Sequence, residues 1–575
     1  MEKSNIRIGE NGHNEYDWSS HRERHNHRES HNHRERILEL SFQLTRQSSY
    51  ENVIQIFRDL IVNIQKDYKN EEISAAVYQE LIVTLYKLIG QTRDIVDGKG
   101  EYQLSYRLLI EWYNFYPESS KFLVNCFVNN EYEHPYGSWK DVRCIADMCD
   151  DIDRRHPLIS YCVHLINTQL RKDSTTEGTP ISLVSKWIPR EKSKYRWLYE
   201  RLAEDYFKEY MLVPSERASN KCYTHYRKLI SSLNKQLDTV QIKQCAKSWS
   251  TIDPSAQTSI TMQRQIKAFL NVGIVRYEDD PDRIQCSTNF KEYIAQAEPH
   301  VNGKRIGINE LVKNALKVCD ALKVCDAKKV CDAKKPNLHL QTQIDLLNAQ
   351  WIDNATQTKP LQKIIPMVDL SSSMNGEPLY AAIGLGIRAA EKSLVGKRIL
   401  TFSETPTWIN LEDTPNFVDM VKKVSTANSD LNANFYAAMK LILDVVIEQR
   451  MPPEDVADMT LAIFSDMQVD LNKNKNKNGV LYRNIEQMYN DAGNKVHGTP
   501  YKPPHILFWN LRTTDGFPNV YTQNNTSMMS GFSPSSLNLF CDGGTNALRN
   551  PWNMLIKSLA SDRYNILQEH MINQL

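Results

Sequence analysis

The sequence predicts a helical-repeat array followed by an α/β domain with a doubly wound, mostly parallel sheet. Two observations carry this fold class. Apolar residues recur at helical spacing from Ile37 to about Ala349, and from residue 360 onward short apolar runs alternate with helical ones. A third observation points to a site: an aspartate ends the first of those short runs, at Asp369.

The helical half reads as one amphipathic segment after another. In "EEISAAVYQELIVTLYKLIG", Val77, Leu81, Leu85 and Leu88 line one face, and in "EYQLSYRLLIEWYNFYP" Leu104, Leu108, Trp112 and Phe115 do the same. Between them "TRDIVDGKGE" carries Gly98 and Gly100, which end one helix and allow the reversal into the next. Helix pairs repeated in this way bury their stripes against their neighbours, which predicts a stacked array over 37–349.

Two stretches are expected to lie outside the packed cores. Residues 1–36 hold the His/Arg-rich run "HNEYDWSSHRERHNHRESHNHRER", which has almost nothing apolar to bury and reads as a disordered, solvated tail. Its histidines would take up a transition metal only adventitiously. Residues 315–335, "ALKVCDALKVCDAKKVCDAKK", repeat a six-residue unit with Cys319, Cys325 and Cys331 six apart. Six helical positions turn about 240° past a full turn, so the three thiols spread around the axis and cannot converge on one metal. The repeat reads as a lysine-rich helical insert.

The α/β half, 360–575, is built from "KIIPMVD", "KRILTFS", "MTLAIFSD" and "HILFWNL" as strands. Helices fall at Glu377 to Leu394, "NFVDMVKKV", "FYAAMKLILDVVIEQ" and "LYRNIEQMYNDAG". Pro366 is awkward in a central strand because it cannot donate to a ladder, so a bulge or a late strand start is expected. Ligands of such sheets bind where the strands end at their carboxyl edge. Asp369 ends the first strand, Ser371 and Ser373 stand on the following loop, and Asp466 ends a later strand. Hard oxygen donors without sulfur or imidazole are the chemistry of magnesium, or of manganese.

The pattern resembles the metal-ion-dependent adhesion site of von Willebrand factor A domains, a D-x-S-x-S loop joined by an aspartate from a later strand. "VDLSSSM", "ILTFSETPTWINL", "IFSDMQVD", "ILFWNLR" and "SGFSPSSLNLF" follow in an order that resembles the carboxyl half of a family known as a domain of unknown function. "TRDIVDGKGEYQLSYRLL", "HPYGSWKDV", "VSKWIPREKSKYR" and "YRKLISSLNKQLDTVQIKQCAKSWSTID" resemble its amino half. The arrangement of a HEAT-like helical array before a von Willebrand-type domain is similar to the Ro autoantigen (TROVE) family. That resemblance implies a ring that binds single-stranded or structured RNA. In adhesion sites a threonine from a second loop completes the metal's oxygen set; here Ala433 stands at that position, so water, Asn432 or Ser429 must substitute and the ion is expected to bind weakly.

Other chemistry is disfavoured. The loop after Asp369 has Ser371 where a phosphotransferase aspartate wants a second aspartate, and no glycine-framed serine elbow is present. "LVGKR" lacks the upstream glycine of a phosphate loop and "GLGIRAAE" the third glycine of a dinucleotide turn. No enzyme activity is expected. With 70 basic against 69 acidic residues the net charge is +1, so nucleic-acid binding must rest on local patches. The basic and aromatic segment "KWIPREKSKYRWLYERL" offers Lys186, Arg190, Lys192, Lys194 and Arg196 beside Trp187, Tyr195 and Trp197, with Lys99 of the glycine turn as a further candidate. The alternative is a scaffold whose metal face grips a protein partner. With 11 cysteines, no zinc-spaced pairs, no apolar leader and no run long enough to span a bilayer, the chain is expected to be a cytoplasmic, reduced monomer without a membrane association.

Overall fold

The computed structural model describes residues 6–8, 14–16, 33–47, 49–129, 134–176, 180–273, 277–296, 301–328, 335–427, 434–467, 479–512, 525–541 and 551–575. A mostly helical amino half precedes a carboxyl half built on a mixed six-stranded sheet. Among the described residues no helix is long and apolar enough to cross a membrane, and the described cysteines are free thiols.

The amino-terminal tail is not featureless. β1 (Ile6–Ile8) and β2 (Asn14–Tyr16) pair antiparallel, Ile6 opposite Tyr16. The first helix begins at His33, four residues before the expected boundary. His33 and Glu35 are buried because that first turn lies against the neighbouring helix, where Asp67 Oδ2 meets His33 Nε2 at 2.7 Å. Packing supplied a partner that composition alone does not reveal.

The helical stripes are realised. In Glu51–Lys69 the buried residues are Val53, Phe57, Leu60, Ile61 and Ile64. Ala75–Arg93 starts on Ser74, whose side chain accepts from Val77 N, and from Leu81 to Arg93 it is buried all round. The reason is a contact beyond its own half: the carboxyl-terminal helix Asn565–Ile572 lies across it. A Cβ at Gly90 would stand 2.5 Å from Leu567 Cδ1, so only glycine allows the approach.

The carboxyl half contains β3 (Ile364–Asp369), β4 (Arg398–Phe402), β5 (Trp408–Asn410), β6 (Thr460–Ser465), β7 (His505–Asn510) and β8 (Thr526–Ser530), in the order β5-β4-β3-β6-β7-β8. All neighbours are parallel except β5 with β4. Alternation along each strand divides its side chains between two cores. Ile365, Met367, Leu461, Ile463 and Phe508 face the helices Phe435–Glu448 and Gly479–His497, while Val368, Ile399, Phe464 and Trp509 face Glu377–Lys392 and Phe417–Ser425. Pro366 is tolerated because the β3–β4 ladder begins only at Met367. The short β5 and the serine-rich β8 carry too little apolar signal to have been predicted.

The expected division at 349/360 is not a division of the packing. The His33–Gln43 helix lies on β8 and on the Pro551–Ser558 helix, and helix Ile308–Lys328 runs along Glu377–Lys392. At that crossing a Cβ on Gly384 would meet Ile308 Cγ1 at 2.8 Å. Trp351 of helix Lys335–Ala355 stacks on Phe417, with ring centroids 4.0 Å apart. Both ends of the helical run therefore sit on the α/β half, and two loops of the run 210 residues apart meet where Arg305 Nη1 donates to Ile95 O at 3.2 Å. The repeat at 315–335 is corrected by the same packing. Its first copy buries Ala315, Val318 and Cys319 in the α/β core; the Cys325 side chain and Cys331 lie outside the described residues.

Candidate metal centre and nucleic-acid interface

β3 delivers Asp369 to the carboxyl edge of the sheet because its six residues are all buried and the chain can turn only where they end. The turn is made by Asp369 itself: its Oδ1 accepts from Ser371 N at 2.9 Å. Ser371 and Ser373 then face each other, hydroxyl to hydroxyl at 2.9 Å, and buried Met374 pins the loop from below. Gly376, at φ 97°, makes the bend into the next helix. Since β6 runs parallel to β3, Asp466 arrives at the same edge, 1 % exposed against 4 % for Asp369.

Two buried carboxylates at one edge are costly unless something positive joins them. Burial pushes the Asp369 carboxyl up to about 6, the Asp466 charge adds to the rise, and the Ser465 hydroxyl, donating at 2.6 Å, opposes it. The donor set of two carboxylates and two hydroxyls, with room for water, suits magnesium or manganese. Asp369 and Asp466 would hold such an ion, with Ser371 and Ser373 beside it. Among the described residues no group of three or more His, Cys, Asp or Glu is placed to hold a metal.

One contributor escaped the sequence reading. Arg512 Nη1 stands 3.9 Å from Asp466 Oδ2 and donates to Ser373 O at 3.4 Å. A guanidinium offsets negative charge but offers no electron pair to a metal, so it competes with an ion. The signal was available in "ILFWNLR", which sets an arginine two residues past a parallel strand. Ser429, Asn432 and Ala433 lie outside the described residues. Neighbouring Asn434 is committed to structure, its N donating to Ser403 O and its Oδ1 capping the next helix through Ala437 N, both at 3.0 Å.

The predicted basic residues separate into groups. Lys99 is corrected: its Nζ donates to Ser41 O, Leu44 O and Ser530 Oγ at 2.8, 3.0 and 2.7 Å, so the ammonium ties the amino-terminal segment to the end of β8 and has no proton left for a phosphate. Arg196 is paired with Glu200 one turn along at 2.6 Å. Lys186 is half-buried, and burial lowers its pKa. Arg190, Lys192 and Lys194 are exposed. Trp197 packs against the core, as does one side of Trp187.

The structure adds two cations to this group. Helix Trp139–Ile152 brings Arg143 over Trp187 at 5.7 Å and over Tyr195 at 5.0 Å, and Lys140 between Trp187 at 6.0 Å and Tyr102 at 5.6 Å. Lys194 Nζ lies over Tyr195 at 4.5 Å. The surface is bounded by acid: Asp147, raised by burial and by Asp151, is held back by Lys194 and Arg143.

Burial of Lys99 has a measurable consequence. It lowers that ammonium from 10.5 to about 7, the Glu101 charge opposing the shift. Between those values the unfolded chain holds a proton that the folded chain has released, so stability rises with pH. From pH 7 to 9 the wild type should gain about 2 kcal/mol more than Lys99→Met, read from urea unfolding of both proteins. Parallel pH profiles would refute the assignment.

Residues 363–564 match a family described as a domain of unknown function (DUF7788). Over 493 residues, 82% of this chain and 78% of the other, the sequence is 25% identical to "Uncharacterized protein L728" of Acanthamoeba polyphaga mimivirus. The match spans both halves of the fold. This agrees with a core that the two halves share.

Proposed function

We propose that the chain is a cytoplasmic, monomeric RNA-binding protein, not an enzyme. In this reading a HEAT-like array closes into a Ro-like ring through a von Willebrand factor A-like domain with a degenerate adhesion-type metal site. The observation that carries the RNA reading is the joint surface of Lys140, Arg143, Trp187, Lys194 and Tyr195, to which Arg190 and Lys192 add exposed charge. Cations there would track phosphates, and the exposed sides of Trp187 and Tyr195 would stack on unpaired bases. Contact between distant loops of the helical run, through Arg305 and Ile95, is compatible with a closed arrangement.

The test is a fluorescence anisotropy titration with a short unstructured RNA at several salt concentrations, and against a duplex of equal length. Affinity should fall with salt at a log-log slope of roughly 0.7 per phosphate contact on a single strand. Changing Lys192 and Lys194 to alanine should flatten that slope, and Arg143→Ala should weaken binding further by removing a cation that also positions Trp187 and Tyr195. Absence of wild-type binding at low salt would reject this reading.

The second reading, a scaffold that grips an acidic residue of a protein partner, is favoured by the buried Asp369 and Asp466 pair at the sheet edge. A bound magnesium or manganese ion would offer that carboxylate an open coordination position. Asp369 and Asp466 would anchor the ion, and Arg512 would have to yield to it.

A further inference from the structure

A cavity of about 450 Å³ lies where the glycine turn meets the carboxyl-terminal segment, lined by neither member of the carboxylate pair and by no residue of the basic surface around Trp187. We propose that it binds a small phosphomonoester joined to a flat or apolar body, of nucleoside monophosphate size. This reading does not rest on the RNA ring or on the metal site.

The argument begins with charge. Lys359 and Lys557 both line the cavity, and neither has a carboxylate partner among the described residues; the Lys557 ammonium reaches only Leu539 O, at 3.5 Å. Among the described lining residues the one acid, Asp97, already accepts from the Ser561 hydroxyl at 3.0 Å. Lys99 closes the back, but its three protons are taken by Ser41, Leu44 and Ser530. Two ammonium groups without a carboxylate partner, against one engaged carboxylate, leave an excess of positive charge among the described lining residues. A phosphomonoester, with a charge of about −1.5 to −2 near neutral pH, matches two lysines better than a carboxylate does.

Hydrogen bonding and volume narrow the class. Ser536 lines the cavity and its hydroxyl bonds to no described residue, while Ser535 shares a 2.7 Å bond with Ser533. Hydroxyls beside ammonium groups suit phosphate oxygens. Bare phosphate would leave most of a cavity this size empty, since pockets of 300 to 1,000 Å³ hold whole small molecules. Met528, Met554 and Leu555 add apolar lining. Thioethers adapt to and pack well on aromatic faces.

The experiment is isothermal titration of the full chain in EDTA, which keeps the carboxylate edge out of the readout. The probes are AMP, phenyl phosphate, adenosine, benzoate and inorganic phosphate. AMP or phenyl phosphate should bind with submillimolar Kd, and the other three at least tenfold more weakly. The Lys359→Gln/Lys557→Gln double variant should lose at least tenfold in affinity at an unchanged melting temperature. Ser536→Glu, which sets a charge of the phosphate's own sign in the cavity lining, should abolish binding, whereas Lys192→Ala/Lys194→Ala should leave it intact. The proposal is overturned if neither phosphomonoester binds at about 5 mM, a limit near −3 kcal/mol. It is equally overturned if benzoate or adenosine binds as tightly as AMP, or if both the lysine and Ser536 variants bind like wild type.

Discussion

Arg563→Met should lower the unfolding free energy by about 3–5 kcal/mol, the usual result of stranding one partner of a buried ion pair. Asp94 and Arg563 are 0 % and 3 % exposed. The guanidinium is bidentate, Nε donating to Oδ2 and Nη2 to Oδ1, each at 2.8 Å, and Nη2 also donates to His134 O at 2.9 Å. Without it the Asp94 carboxylate keeps the Tyr564 hydroxyl at 3.1 Å and the Val96 N–H at 2.9 Å, but no cation within bonding reach. Urea unfolding followed by circular dichroism reads the change. Pairing the substitution with Asp94→Asn should cost less than the sum of the two, because the second change removes the stranded charge. A loss under about 1 kcal/mol would show that the pair is dispensable. The effect matters beyond stability, since this pair fastens the turn after Ala75–Arg93 to the carboxyl-terminal segment and so helps hold the two halves together.

In EDTA at pH 7.5, Asp369→Asn should stabilise the protein by up to about 3 kcal/mol, the free-energy equivalent of roughly two pH units. The folded carboxyl keeps its proton up to about pH 6, whereas the ordinary aspartate value is 3.8. A group whose pKa is raised by folding contributes stability at low pH and loses it as pH climbs through that window. The advantage of the asparagine variant should therefore vanish toward pH 4 and be complete above pH 6. Magnesium should reverse the order by raising the wild-type melting temperature progressively, with the logarithm of ion concentration once the site fills, with no such rise in the variant. A variant less stable than wild type in EDTA at pH 7.5, or an equal magnesium response in both, would remove the case for a metal centre here.

Much of the carboxyl half was legible. β3, β4, β6 and β7 announced themselves as apolar runs, and because parallel strands end together, Asp369 and Asp466 could be placed at one edge before any coordinates. The bulge or late strand start expected at Pro366 is replaced by a strand that starts at Ile364 and pairs Pro366 with Ala462, only the ladder to β4 beginning after it, at Met367. β5 and β8 were not legible: Trp408–Asn410 is three residues long, and "TSMMS" mixes hydroxyls with methionines. Arg512 and the pair Lys140 and Arg143 were missed for another reason. Each meets its partners across a gap in sequence, Arg143 over Trp187 and Arg512 beside Ser373, and no local spacing encodes such a meeting.

The sequence by itself determined most of the helices, the four apolar strands β3, β4, β6 and β7, where the glycine turns fall, and which carboxylates end parallel strands, because these depend on interactions within a few residues. Tertiary structure alone decided which charges are available. Lys99 and Lys192 read alike as exposed basic residues, yet one ammonium is spent on three oxygens from distant segments and the other faces solvent. It also decided that the halves share their cores, with Cys319 of the repeat buried against the sheet domain and Leu567 pressed onto Gly90. Burial and pairing are through-space properties, set by whatever the rest of the chain brings alongside, and a window of local sequence contains no record of that neighbour.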